Sequence, residues 1–262
     1  MITGHIEGTG GENKERLMEA LSLITGRDQF LTNIYNKRKL LDELSIELSE
    51  AHRTKNPVGF GMLDIDHFKR INDDQEIGGH QLGDQILMVL SYLLPDALKR
   101  KTDIFGRYGG EEFGAVMPAT NVKGALKVIN HARKVVESRP KKLNGITISG
   151  GVADSDQAAV PLLYETKGRD LLKSYVDNNG DSGKEEVKSR ILKHADIMKA
   201  SPEMVKNMAG NLYRFLMSPT SDKYSLDSDF EEIALNCIVN FADKALYQAK
   251  NSGRNRVCGY QI

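Results

Sequence analysis

Between residues 58 and 153 the spacing of apolar residues switches repeatedly between that of a strand and that of a helix, and the order of those switches leaves few folds open. Residues 58–65 (VGFGMLDI) form an apolar run that continues up to Asp64, the pattern of a buried strand. A polar loop holding Gly78-Gly79 follows. A helix is then expected over 81–99, with Ile86, Leu90, Leu93 and Leu94 on one face and Pro95 kinking or shortening its last turn. Residues 104–108 and 112–117 read as a hairpin turned at Gly109-Gly110 and stopped by Pro118. A helix over 122–138 and an alternating strand over 145–153 (GITISGGVA) complete the series.

Helical patterns flank this core at 15–24, at 31–51 and at 230–250. The second places Leu40, Leu41, Leu44 and Leu48 on one face and ends at Asn56-Pro57; the last presents Ile233, Ile238, Ala242 and Leu246. With residues 155–228 set aside, the order is strand, helix, strand, strand, helix, strand, helix. That is the ferredoxin-like βαββαβ palm, an α/β (α+β) fold with its helices on one sheet face. Residues 155–228 are a stretch of roughly 70 residues, far beyond ordinary connections. Helical patterns around 160–176, 184–199 and 202–217 make it an inserted helical subdomain. Asp177, Asn179 and Asp181 imitate the start of a calcium loop, but Ser182 and Lys188 stand where glycine and glutamate are required, so a capping turn is the better reading. Residues 1–27 are a lead, flexible and then helical, too short for a sensor domain.

The chain has 262 residues, with 36 lysines and arginines against 36 aspartates and glutamates. Proteins that wrap nucleic acid are usually basic, so no nucleic-acid partner is expected, although a small anionic ligand stays open. Two cysteines, Cys237 and Cys258, lack metal-ligand spacing and read as free thiols of a reducing compartment. The first residues hold no signal-like apolar run, and nowhere do ~18 apolar residues follow one another. A cytoplasmic chain without a membrane span is expected.

The chemistry concentrates in two places. Asp64-Ile65-Asp66-His67-Phe68-Lys69 puts carboxylates at a strand end beside a loop able to offer backbone amides. That suits magnesium with phosphate, although for this stretch taken alone a solvated strand end is the better reading. Gly109-Gly110-Glu111-Glu112-Phe113 shifts the balance. Glycines at the turn let a ligand approach the backbone, and adjacent glutamates in an extended segment point to opposite sides. One glutamate can therefore share a cation with Asp64.

Together these residues resemble the GGDEF family of diguanylate cyclases, whose signature is GG[DE]EF. The resemblance covers roughly residues 28–154 and 229–258. Residues 28–38 (DQFLTNIYNKR) resemble the family's opening D-x-L-T-x-x-x-N-R motif with one extra residue; 64–73 (DIDHFKRIND) resemble D-x-D-x-F-K-x-x-N-D; Gly79-His80 through Gly83-Asp84 resemble G-H-x-x-G-D. Residues 242–257 (ADKALYQAKNSGRNRV) resemble the closing helix and its G-R-N stretch. On this basis residues 28–154 and 229–262 would be the catalytic domain.

The resemblance implies an enzyme that condenses two GTP molecules into cyclic di-GMP and pyrophosphate. Asp64, the Ile65 carbonyl and Glu111 would hold Mg2+, with Mn2+ as a possible substitute. Glu112 would be a second metal ligand or the general base. Asn72 and Asp84 would read guanine; Phe68, Lys69 and Gly110 would border the phosphates. Lys250 and Arg254, one turn apart on the last helix, would clamp the triphosphate. A homodimer is implied, because one domain cannot close the ring alone. Arg100 and Asp103 have the R-x-x-D spacing of the family's product-inhibition site. The rival reading is a catalytically silent cyclic di-GMP receptor that uses Arg100 and Asp103 alone, but the signature residues of the catalytic site are intact. ATP fits poorly, since Asp84 facing adenine N1 would lack a donor.

One departure bears on guanine: five residues, Asp74 to Gly78, stand where the family has two, a lengthening expected to shift Asn72 relative to Asp84. The larger departure is the insertion, which lies on the route to Lys250. Replacing residues 155–228 by a short Gly/Ser linker should preserve GTP affinity but move the dependence of rate on protein concentration. Superimposable rate curves for the two chains would remove any regulatory role.

Overall fold

The computed structural model describes residues 11–28, 31–76, 78–98, 100–139, 145–158 and 230–260. The element order is α1 (Gly11–Thr25), α2 (Lys37–Thr54), β1 (Gly59–Ile65), α3 (Phe68–Asp73), α4 (Gly79–Leu98), β2 (Ile104–Gly109), β3 (Glu112–Met117), α5 (Val122–Glu137), β4 (Ile148–Asp154), α6 (Phe230–Asn251) and β5 (Val257–Gly259). The inserted helical subdomain expected over 155–228 lies, beyond Ala158, outside the described residues, as does the flexible lead up to residue 10.

Five strands form one sheet in the order β2-β3-β1-β4-β5. The first four are antiparallel to their neighbours, the split βαβ arrangement that the periodicity implies. β5 pairs parallel to β4, with Gly150 opposite Val257. Its three residues carry no strand signal of their own in the sequence.

Helices cover both faces, not one. Alternation along β1 sends Phe60 and Met62 into a cluster with Leu40, Leu44 and Leu48 of α2 and Ile238, Phe241 and Leu246 of α6. Leu63 and Ile65 join Ile86, Leu90 and Leu94 of α4 and Ile129 and Val136 of α5 on the other face. The two helices of the βαββαβ unit therefore share one face as expected, and the flanking α2 and α6 close the second. Each fully buried side chain of this size contributes about 1.5–3 kcal/mol.

Three local expectations are revised. α2 starts at Lys37 rather than 31, because Asn36 is extended and its side chain accepts the Lys39 N–H at 2.9 Å. Leu31 and Ile34, which fit a helical spacing, pack against the core from a turn instead. The loop expected after β1 contains α3, whose Phe68 and Ile71 are buried three residues apart. α4 starts at Gly79 and runs through Pro95 to Leu98, so the proline does not end it.

The backbone of α6 lies close over Gly151 of β4. A Cβ there would lie 2.0 Å from the Leu246 nitrogen and 2.2 Å from the Ala242 oxygen, both backbone atoms of α6. Gly151→Ala should therefore cost at least the ~1–3 kcal/mol of ordinary overpacking, because the whole of α6 must move. A denaturant midpoint equal to wild type would contradict this packing.

Candidate active site

Pairing of β1 with both neighbours puts Asp64 opposite Glu112 on β3 and Ser149 on β4. Asp64 is buried, and α6 delivers Lys250 to it: the ammonium lies 2.7 Å from Oδ2. Burial pushes the Asp64 carboxyl up to about 6 despite this partner, with Glu111 and Glu112 adding to the rise. Burial also raises the Glu112 carboxyl; Lys250 and Lys37 oppose the rise, and Asp243 and Glu111 add to it. Among the described residues, no three carboxylate, imidazole or thiol groups converge as a ready-made cation shell. The ammonium of Lys250 instead pairs with Asp64 at one end of the sheet, with the charges of Glu111 and Glu112 close enough to act on that carboxyl.

Gly110 makes the hairpin turn at φ 30°, and a Cβ there would meet nothing within 4 Å, so the tip is open to a ligand. Its carbonyl is held from behind by Arg107, whose Nε and Nη2 donate to it at 3.0 and 2.8 Å. The same guanidinium reaches Asp28 Oδ2 at 2.8 Å, where the Thr32 hydroxyl also donates at 2.8 Å. The opening D-x-L-T stretch is thus tied to the hairpin tip. Arg107 escaped the sequence reading; its only signal is an arginine three residues before Gly110.

The other expected site residues divide. Asn72 lies against Gly83, the residue before Asp84, because α3 packs on α4. A Cβ on Gly83 would fall 2.0 Å from Asn72 Oδ1, so the glycine makes the room that Asn72 occupies. The extra residues after Asp73 are tied back to Asp74. They close on themselves, with the Gly79 N–H donating to the Asp74 carbonyl at 2.9 Å and the Glu76 N–H to Asp74 Oδ1 at 3.1 Å. Lys69 is exposed, but the Phe68 and Ile65 side chains are buried in the core, so only their backbone can face a ligand. Arg254 is not on the last helix as expected. α6 ends at Asn251, and Arg254 sits in the following turn at φ 59°.

Outside this cluster, Arg100 donates to the Thr120 hydroxyl at 3.1 Å rather than pairing with Asp103. Both Asp103 carboxylate oxygens are shielded from solvent without a hydrogen-bond partner among the described residues. Burial raises that carboxyl, and the Arg100 charge opposes the rise.

The family profile described as "Diguanylate cyclase, GGDEF domain" matches residues 27–160, just over half of the chain. The chain belongs to the GGDEF family. The diguanylate cyclase DgcP of Pseudomonas aeruginosa is 34% identical over 157 residues, covering 54% of this chain and 23% of that protein. The response regulator PleD of Caulobacter vibrioides is 34% identical over 129 residues, covering 47% of this chain and 28% of its own. The chain thus spans about a quarter of the length of these curated relatives. Among solved structures, the GGDEF domain of DgcB from Caulobacter crescentus, in complex with c-di-GMP, superposes with a TM-score of 0.52 at 22% identity, covering 88% of this chain and 94% of that one. The active GGEEF domain of a Vibrio cholerae diguanylate cyclase gives 0.52 at 24%, covering 87% and 97%. These likenesses establish the GGDEF palm fold. Among the described residues, no helix of this GGDEF protein is long and apolar enough to cross a membrane.

The donor chemistry fits a hard divalent cation, since every candidate ligand is oxygen and the carboxylates lack enough positive charge nearby. Asp64, raised to about 6, is ionised above that pH and neutral below it. Alone it stabilises the fold below its ordinary range and loses that contribution as pH rises through about 6, when a poorly compensated charge becomes buried. A bound cation reverses that sign. Divalent cations should therefore raise Tm at about pH 7.5 and do so far less at about pH 5, and Asp64→Asn should blunt the difference. Equal shifts at both pH values would contradict the assignment of Asp64 to a cation site.

Proposed function

We propose that the chain is a diguanylate cyclase, joining two GTP molecules into cyclic di-GMP with release of two pyrophosphates. The observation that carries this reading is the convergence of Asp64, Glu112 and Lys250 beside the open Gly110 turn in a GGDEF chain. The names of the relatives and the c-di-GMP complex of a structural neighbour support the same substrate class.

Each domain would bind one GTP. Asp84 would accept from the guanine N1–H and N2–H groups, and Asn72 would pair with the same base. The open Gly110 turn and exposed Lys69 would border the phosphates, with the Phe68 backbone beside them. Lys250 and Arg254 would hold the outer phosphates. Mg2+, held by Asp64, the Ile65 carbonyl and Glu111, would supply charge neutralisation at the phosphoryl oxygens and acidify the attacking hydroxyl. Glu112 is the proton acceptor in this reading, since it stands directly opposite Asp64 at the end of the β1–β3 pair. The 3′-oxygen of one GTP attacks the α-phosphorus of the other. An O–P bond forms, the bond to the β-phosphate oxygen breaks, and pyrophosphate leaves with its electron pair. The reciprocal attack closes the ring, so two copies must meet face to face and a homodimer is part of the proposal.

Arg100 and Asp103 are proposed as the product-feedback site. Arg100 is exposed beside Asp103, whose two carboxylate oxygens lack a hydrogen-bond partner among the described residues and would meet the N–H edge of guanine once uncovered.

Pure protein incubated with GTP and Mg2+, with products identified by mass, tests the whole reading. Wild type should form cyclic di-GMP, and Glu111→Gln or Asp64→Asn should lower the rate by about a hundredfold or more while leaving the fold intact. Added product should inhibit wild type, and Arg100→Ala should relieve that inhibition without lowering the initial rate. A wild type that binds cyclic di-GMP but forms none would establish the silent-receptor alternative instead.

A further inference from the structure

The turn after α6 contains three successive residues in the left-handed region: Gly253 at φ 110°, Arg254 at 59° and Asn255 at 44°. Glycine adopts such backbone freely and asparagine tolerates it; arginine does so only where the surroundings over-determine it. Those surroundings are specific. The Asp66 carboxylate is buried, and Oδ2 accepts the Asn255 N–H at 3.0 Å together with the Thr147 hydroxyl at 2.7 Å. Its Oδ1 accepts the Ser149 hydroxyl at 2.7 Å. On the other side of the turn, Asn255 Oδ1 accepts from Arg133 Nη1 at 2.7 Å, and its Nδ2 donates to Glu137 Oε1 at 2.7 Å. Arg133 and Glu137 are themselves paired at 2.8 Å.

Asn255 is therefore gripped by its backbone from the end of β1 and by its side chain from α5. Asp66 directs its carboxylate oxygens to protein donors, so it serves neither cation nor nucleotide directly. We propose that Asp66, acting through Asn255, is a positioning residue that holds the Arg254 turn where it can meet the outer phosphates of a nucleotide. This inference rests on the cyclase reading and extends it to two residues for which that reading has no role.

The test separates phosphate recognition from base recognition. Binding of the α,β-methylene analogue of GTP, in which the bond to be broken is blocked, is measured beside binding of GMP, which lacks the outer phosphates. Asp66→Asn replaces an acceptor by an amide that can present a donor to the Asn255 N–H. It should weaken the analogue about tenfold or more while leaving GMP affinity unchanged. Asn255→Ala keeps every Asp66 bond, including that from the Asn255 backbone N–H, and removes the side-chain bonds to Arg133 and Glu137; loosening the same turn from its other side, it should produce the same selective loss, which guards against an Asp66 variant that fails to fold. Unchanged analogue affinity in the two variants, or equal losses for both ligands, would each overturn the proposal. Wild type binding neither ligand would instead overturn the cyclase reading, a result visible before any variant is made.

Discussion

β1 lies between β3 and β4 with a helix layer on each face, and all seven of its residues are buried. Its apolar residues could not be placed otherwise without exposing a long hydrophobic edge. An acid at the end of such a strand is carried into the protein with it. Asp64 is that acid, and the antiparallel register sets it directly opposite Glu112. The same burial lets α6 pack across β4 and β1, and so Lys250, in its last turn, reaches Asp64. The acidic cluster is a consequence of where the central strand sits.

Burying carboxylates is unfavourable unless charge and hydrogen bonds compensate. At Asp66 hydrogen bonds compensate, with three donors: Thr147 just before β4, Ser149 on β4 and Asn255 in the turn after α6. At Asp64 they do not. One ammonium faces it, two further glutamates are close by, and its carboxyl is raised to about 6. Two aspartates separated by one residue therefore have opposite characters. One is a satisfied structural anchor; the other is short of positive charge, which is what a cation site requires.

Much of this was legible in the chain. The hairpin, the buried first strand and the helices over α4 and α5 follow from the spacing of apolar residues, because the helices bury one face and leave the other wet, while the unbroken apolar run of β1 marks a strand covered on both sides. The carboxylates were legible because they end an apolar strand or flank a glycine turn. Less visible were elements whose reason for existing lies elsewhere in the molecule. α3 forms because Phe68 and Ile71 find the core beside α4. β5 forms because β4 offers an open edge. Leu31 and Ile34 carry helical spacing yet pack from a turn, since Asn36 caps the helix later.

The sequence by itself determined the order of strands and helices, the acidic residues at the end of β1 and in the hairpin, and the family they mark. These depend on short-range spacing and on residue type. Tertiary structure decided which charges meet. Lys250 lies 186 residues beyond Asp64 in the chain, Asn255 lies 189 beyond Asp66, and Arg107 lies 79 beyond Asp28. It also decided that Arg254 stands in a left-handed turn rather than on a helix, because the backbone there is held by a carboxylate on another strand. No local pattern encodes a partner so distant; the sheet order and the packing of α6 on β4 bring it within hydrogen-bond range.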